Sequence, residues 1–415
     1  MIRAVVARTL AVLLVAAASA PRRARADAVV GTGAAGSCTE AALDAALAGG
    51  GNVTFNCGRS AVTITITFEK TIGAATSIDG GGLITLSGGG TTSVLWVNRG
   101  VTLTVANLTI SDAGFGASSF GGAIYNNDGA LTVTNSAFSG NSAEDGYGGA
   151  IYNHGGTLTV TNSTFSGNSA SGEGGAIYNA GGTLTVTNST FSDNSASDGG
   201  AIYNGGTATV TNSTLSGNSA SADGGGIYNG PDCTTSPCRG STLTVTNSTF
   251  SDNNGSGGGI ANYGGTAALT NTIVANSTGG NCLGAVTDGG HNLDDGTSCG
   301  FSTTSGSLSN TNPLLDPTAL ANNGGPTQTI ALQAGSPAIN AGNESVCAAP
   351  PVNNLDQRGF VRPGTGHTNC SIGAYEGGAP AQEEEDGCQI RTGASMPWLL
   401  FLPVAALVWL RRRPR

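Results

Sequence analysis

Gly148–Ala170 reads GGAIYNHGGTLTVTNSTFSGNSA, and Gly174–Ala196 repeats it almost letter for letter as GGAIYNAGGTLTVTNSTFSDNSA. The opening motif recurs at Gly121, Gly199 and Gly224, with a worn copy, GGGIAN, at Gly257. Its isoleucines fall at positions 124, 151, 177, 202, 227 and 260, steps of 27, 26, 25, 25 and 33. A period near 25 identifies a solenoid, in which each unit buries its apolar face only against its neighbours. Within the unit, Leu158 and Val160 alternate with threonines, the period of two that sends one face of a strand inward. Ile151 and Phe165 mark two further short strands, each ended by Gly, Asn or Ser. Three short strands and three turns per unit describe one coil of an all-β, right-handed parallel β-helix. Leucine-rich repeats share the period but require more leucine and a helical half.

Stacked coils turn equivalent residues into ladders about 4.8 Å apart. The expected inward ladders are Ile124, Ile151, Ile177, Ile202 and Ile227; Val133, Val160, Val186, Val210 and Val245; and Phe138, Phe165, Phe191, Leu215 and Phe250. Asn135, Asn162, Asn188, Asn212 and Asn247 are expected to stack at a turn and pass amide hydrogen bonds from coil to coil. Beside each isoleucine an outward tyrosine recurs: Tyr125, Tyr152, Tyr178, Tyr203 and Tyr228. Such a stripe can stack on sugar rings, or its members can pack against one another.

Working outward, degenerate coils begin near Val62 (VTITITF), so the solenoid is expected over residues 59–310, about ten coils. Thr39 to Leu47 is a helix signal, with Leu43 and Leu47 on one face, placed to cap the first coil within residues 27–58. Residues 1–26 read as a secretory signal: Arg3 and Arg8, an apolar run, then Ala24-Arg25-Ala26. At the other end Met396 to Leu410 is apolar and closes on Arg411, Arg412, Arg413 and Arg415. This predicts an anchor helix or sorting tail over residues 391–415, after an acidic linker at 378–390, with the arginines on the cytoplasmic side. Nine cysteines in an exported chain predict disulfides between neighbours: Cys38–Cys57, Cys233–Cys238, Cys282–Cys299 and Cys347–Cys370, leaving Cys388 over.

With 68 glycines, 38% hydrophobic and 10% charged residues, the chain is neither disordered nor collagenous. Its net charge of −10 and single lysine, Lys70, exclude a nucleic-acid partner. One acidic column recurs at a turn: Asp145, Glu173, Asp198 and Asp223. A calcium ladder is one reading of it, and acids favoured at glycine corners are the other. No basic residue accompanies the column, His154, His291 and His367 lack metal-ligand spacing, and no catalytic constellation or cofactor site is expected.

GGAIYN alternating with FSGN and FSDN resembles the repeats of polymorphic outer-membrane proteins over residues 121 to 277. NPLLDPTALANNGGPTQTIALQAGSPAINAGN, NNLDQRGFVRP and CSIGAYE resemble the choice-of-anchor domain of bacterial surface proteins, over a module at 311–377. The tail from Cys388 onward is similar to short cysteine-containing sorting tails. These resemblances imply surface retention through Cys388 and membrane contact through the tail. The expected function is a non-catalytic rod at the cell surface or outer membrane, contacting surface polysaccharide or envelope proteins. The alternative is a polysaccharide lyase or hydrolase on the same β-helix.

Overall fold

The computed structural model describes residues 27–114, 121–144, 146–231 and 240–378. The signal region, Asp145, the Cys233–Cys238 insertion with Arg239, the linker from residue 379, Cys388 and the tail lie outside the described residues. The rest is a parallel β-solenoid with little helix.

A repeat coil carries four strands, one more than the sequence pattern implies. In one coil these are Ile177–Ala180, Thr183–Thr187, Thr190–Ser192 and the short Ser195–Ala196. Every one pairs in parallel with its counterpart a coil away. The pairing Ile151↔Ile177↔Ile202↔Ile227 runs in strict register, as does Val133↔Val160↔Val186↔Val210↔Val245. The isoleucine face contains nine strands, from Lys70–Ile72 to Cys282–Leu283. The solenoid therefore makes about nine turns, not about ten. Between Asp294 and residue 312 the solenoid ends in an isolated bridge, Leu293↔Leu308, and a 3-10 turn, because the period-two apolar pattern has run out.

All three apolar ladders lie in the core. Phe138, Phe165 and Phe191 are fully buried and stack with centroids 4.7 and 4.8 Å apart. The asparagine ladder is a different one from that expected. Asn135, Asn162, Asn188, Asn212 and Asn247 occupy the left-handed turn, with φ of 46–51°, where the side chain points away from the core. Amide bonds pass only from Asn162 to Asn135 and on to Asn107. The buried ladders are the asparagines of IYN and of SGN. Asn126, Asn153, Asn179, Asn204, Asn229 and Asn262 link at 2.7–2.8 Å, and Asn141, Asn168, Asn194, Asn218 and Asn253 at 2.8–2.9 Å. Each amide donates to the next carbonyl, so two polar columns cross the interior with their side chains joined rung to rung; Asn126 Oδ1, at the start of the first, has no hydrogen-bond partner.

The helix Glu40–Leu47, capped by the Thr39 hydroxyl, buries Leu43 and Ala46 in the same core as Val53 and Ile64. Lys70 holds it there through Glu40 at 2.6 Å and Asp44 at 2.8 Å. Partial burial opposes ionisation of Glu40. Hydrogen bonds from Lys70, from the Thr67 hydroxyl and from the Thr67 and Phe68 amides outweigh it and lower the carboxyl to about 2. Three of the expected disulfides are formed, Cys38–Cys57, Cys282–Cys299 and Cys347–Cys370.

The segment after residue 312 does not stack as further coils. It runs back along the outer asparagine turns and straps four coils from the side. Thr327 Oγ1 donates to Asn188 O, Asn212 Nδ2 to Leu355 O, Asn247 Nδ2 to Cys347 Sγ, and the Asn343 amide to Asn271 Oδ1. Gln357 is fully buried between strap and solenoid, accepting from Thr214 Oγ1 at 2.6 Å and donating to Thr190 Oγ1 at 2.9 Å. The LDQRGFVRP and IGAYE letters build its interior. Arg358 pairs with Asp356 at 2.6 Å and lies over the rings of Phe360 and Tyr375, while Arg362 meets Glu376 and the carbonyls of Ser371 and Gly373.

Candidate functional site

In three repeat coils an acid (Glu173, Asp198 or Asp223), two glycines, a small residue, isoleucine and tyrosine follow in order, so acid and tyrosine stand five residues apart. The first glycine is left-handed, with φ of 71° at Gly174, 63° at Gly199 and 65° at Gly224. At the second, a Cβ would collide with backbone carbonyls of the next coil, as at Gly175 with Gly200 and Ser195. The tight corner turns isoleucine inward and tyrosine outward, and leaves the acid beside the tyrosine face. Two features that read as separate in the sequence are thus one surface.

The tyrosines form a continuous ladder. Centroid separations are 5.1 Å from Tyr125 to Tyr152, 4.9 Å to Tyr178, 4.8 Å to Tyr203 and 4.9 Å to Tyr228. It is longer than the repeat letters indicate. Trp96 occupies the tyrosine position one coil earlier and stacks on Tyr125 at 4.2 Å. At the far end Ala261 takes the register position of Tyr228's partner, and Tyr263, two residues on and on the same side, stacks on Tyr228 at 5.5 Å. The parity of position 263 is the sequence signal for that last rung.

Packing decides most of the stripe. Tyr125, Tyr152 and Tyr178 are 5–8% exposed, and Tyr147 leans on Tyr152 and Tyr178, so these rings pack against each other. Tyr203 and Tyr228 are half-buried, and Tyr263 is 42% exposed. Tyr263 is the most open rung of the ladder among the described residues. His154 is half-buried, with its ring 6.3 and 6.0 Å from Tyr125 and Tyr152.

Glu173, Asp198 and Asp223 follow one another beside the open end; the Glu173 and Asp198 backbones form a parallel β-bridge, and the Asp223 amide donates to Asp198 Oδ1 at 3.1 Å. Burial raises Glu173, and the Asp198 charge adds to it. Burial also raises Asp198; the charge of Asp223 reinforces this, against hydrogen bonds from the Asp223 amide and Ser197. Tyr228 is pushed up to about 12 by burial and by the charges of Asp198 and Asp223. Tyr263 is raised by desolvation and by Asp223, its charged neighbour and hydrogen-bond partner.

No group of three or more His, Cys, Asp or Glu is arranged to hold a metal among the described residues, and none of their ion pairs involves this column. Arg99 is spent on Asp128, at 3.5 Å. A recess of about 460 Å³, lined by Asp44, Leu47, Glu69 and Lys70, has its cation paired with the helix. No described helix is long and apolar enough to cross a membrane.

Comparison with known proteins matches a family model described as the right-handed β-helix region, over residues 68–238 and 121–305. No curated protein and no solved structure matches the chain. The two matched segments together cover residues 68–305, more than half of the chain, and their coils are those of the ladders described above. The chain belongs to the right-handed β-helix family.

Proposed function

We propose that this protein is a non-catalytic exported surface rod that contacts glycan at the open end of its tyrosine ladder. The observation that carries the reading is the exposed Tyr263 ring stacked on Tyr228, where every earlier rung is more deeply covered. A flat aromatic face suits a pyranose ring. The flanking carboxylates disfavour uronic acids and suit neutral or amino-bearing sugars. Residues 1–26 serve export, the helix Glu40–Leu47 covers the first coil, and the strap is the choice-of-anchor-like module. Residues 391–415 with Cys388 hold the protein at the envelope, as the resemblance to short cysteine-containing sorting tails implies. Calcium is an optional ligand of the acidic column.

The test is a glycan array with the full ectodomain, followed by titration of any hit against Tyr263→Ala. A weakening of about tenfold, ~1.4 kcal/mol, is expected for loss of one stacking ring. Equal binding by the variant, or a blank array, removes the reading.

A second reading, a polysaccharide hydrolase, draws on the raised carboxyls of Glu173 and Asp198 one coil apart. New reducing ends from a panel of neutral polysaccharides, lost in Asp198→Asn, would establish it in place of the first.

A further inference from the structure

Seven aromatic rings in unbroken contact make a path as well as a packing device. From Trp96 through Tyr125, Tyr152, Tyr178, Tyr203 and Tyr228 to Tyr263 no centroid step exceeds 5.5 Å. Phenol and indole are the side chains most readily oxidised by one electron without loss of atoms. The path has a distinct character at each end: an indole, half-buried, at one, and at the other an exposed phenol with a carboxylate as its hydrogen-bond partner.

We propose that the ladder conducts an oxidising equivalent from Trp96 to the Tyr228–Tyr263 pair, where Asp223 accepts the phenolic proton. An outer-sphere one-electron oxidant takes an electron from the Trp96 indole. Each neighbouring ring fills the hole in turn, so the vacancy moves along the stack. At the last rung Tyr263 gives its electron inward and its O–H proton to the Asp223 carboxylate. The products are a neutral tyrosyl radical, a protonated Asp223 and the reduced oxidant, and no bond between heavy atoms is made or broken. A phenol that has lost an electron is strongly acidic, and at the exposed end Asp223, the hydrogen-bond partner of Tyr263, is the base that takes its proton. The proposal is independent of glycan binding.

The test uses the full chain carrying Trp398→Phe and Trp409→Phe, so that Trp96 is its only tryptophan. Photogenerated tris(bipyridine)ruthenium(III) serves as the oxidant. Transient absorption follows the indole radical, and electron paramagnetic resonance identifies the product. Expected are decay of the indole signal with matching growth of a tyrosyl signal, and loss of that signal in Tyr263→Phe. In Tyr178→Phe the ring stack is kept but the rung resists oxidation, so the indole radical should persist. Tyr203→Phe makes the same cut should the first variant not fold. Asp223→Asn should slow the tyrosyl phase and alter its solvent isotope effect. An indole radical that decays without a tyrosyl product in the parent overturns the proposal. So does a tyrosyl phase of unchanged rate in the Tyr178 and Tyr203 variants. An Asp223→Asn variant with unaltered rate and isotope effect removes the carboxylate from the scheme.

Discussion

The repeat coils and the strap are both well buried, yet they hold together by opposite means. Between Gly121 and Ala275 each contact is one of a series: an isoleucine on an isoleucine, an amide on an amide. Between Pro313 and Glu376 almost nothing recurs, and a few groups with no substitute carry the structure. Arg358, Arg362, Asp356 and Glu376 are at most 5% exposed. Redundancy spreads a loss over neighbours, whereas a unique buried pair concentrates it.

Arg362→Ala should break the contrast most sharply. It strands the Glu376 carboxylate, which is fully buried, and removing one partner of a buried pair costs about 3–5 kcal/mol. Hydrogen exchange should then show residues 313–377 opened while the isoleucine ladder keeps its protection. Loss of protection throughout the solenoid would instead show that the strap is needed for the coils. Asn179→Ala is the next largest test. It leaves the Asn153 amide and Asn204 carbonyl without their ladder partner, at about 1–3 kcal/mol. Denaturant unfolding should show that loss, with the strap's exchange unchanged.

The smallest effect is one of pH, at the two ends of the stack. Glu40 lies at about 2 against an ordinary 4.5, so the stability it lends is complete above pH 4.5 and disappears as pH falls towards 2. Asp288 behaves alike. Burial opposes its ionisation, but hydrogen bonds from Ser305, the Ser302 amide, Ser307 and Asn292 bring it to about 2 against an ordinary 3.8. Exchange in Glu40–Leu47 and around residues 302–307 should rise in that window. Lys70→Met should flatten the response at the first site only. In the acidic column the sign reverses: burial first and neighbouring charge second raise Glu173 and Asp198, so acidification relieves the cost of holding them ionised.

The repeat ladders were legible because a coil repeats both its letters and its inward parity: Ile177, Val186 and Phe191 needed only a period and an alternation. The interior asparagines were not, since period alone does not say which of three asparagines per coil faces inward. That depends on where the chain turns left-handed, at Asn162 and not at Asn153. The position of the strap was hidden for another reason. Its motifs, such as LDQRGFVRP, encode its own buried ion pairs, while its docking rests on scattered polar groups such as Leu355 O and on Gln357, which no period or alternation within that motif marks as facing the solenoid. Of the candidate surface, the tyrosines and acids were each visible. Their meeting at Tyr263 was not, because that rung sits two letters off the motif.

The lateral strap also bears on how such a chain can vary. Nearly identical coils can be gained or lost when their coding copies recombine, and a free stack tolerates this by growing or shrinking one step. From Gly121 to Ala180 nothing in the strap's contacts forbids it. From Asn188 to Asn271 the strap grips successive coils at fixed intervals, at Asn188, Asn212, Asn247 and Asn271. One coil more or fewer there would put its fixed reach out of step with the turns beneath it. The strap thus works as a gauge, dividing the molecule into a stretch free to change in length and one whose copy number is set.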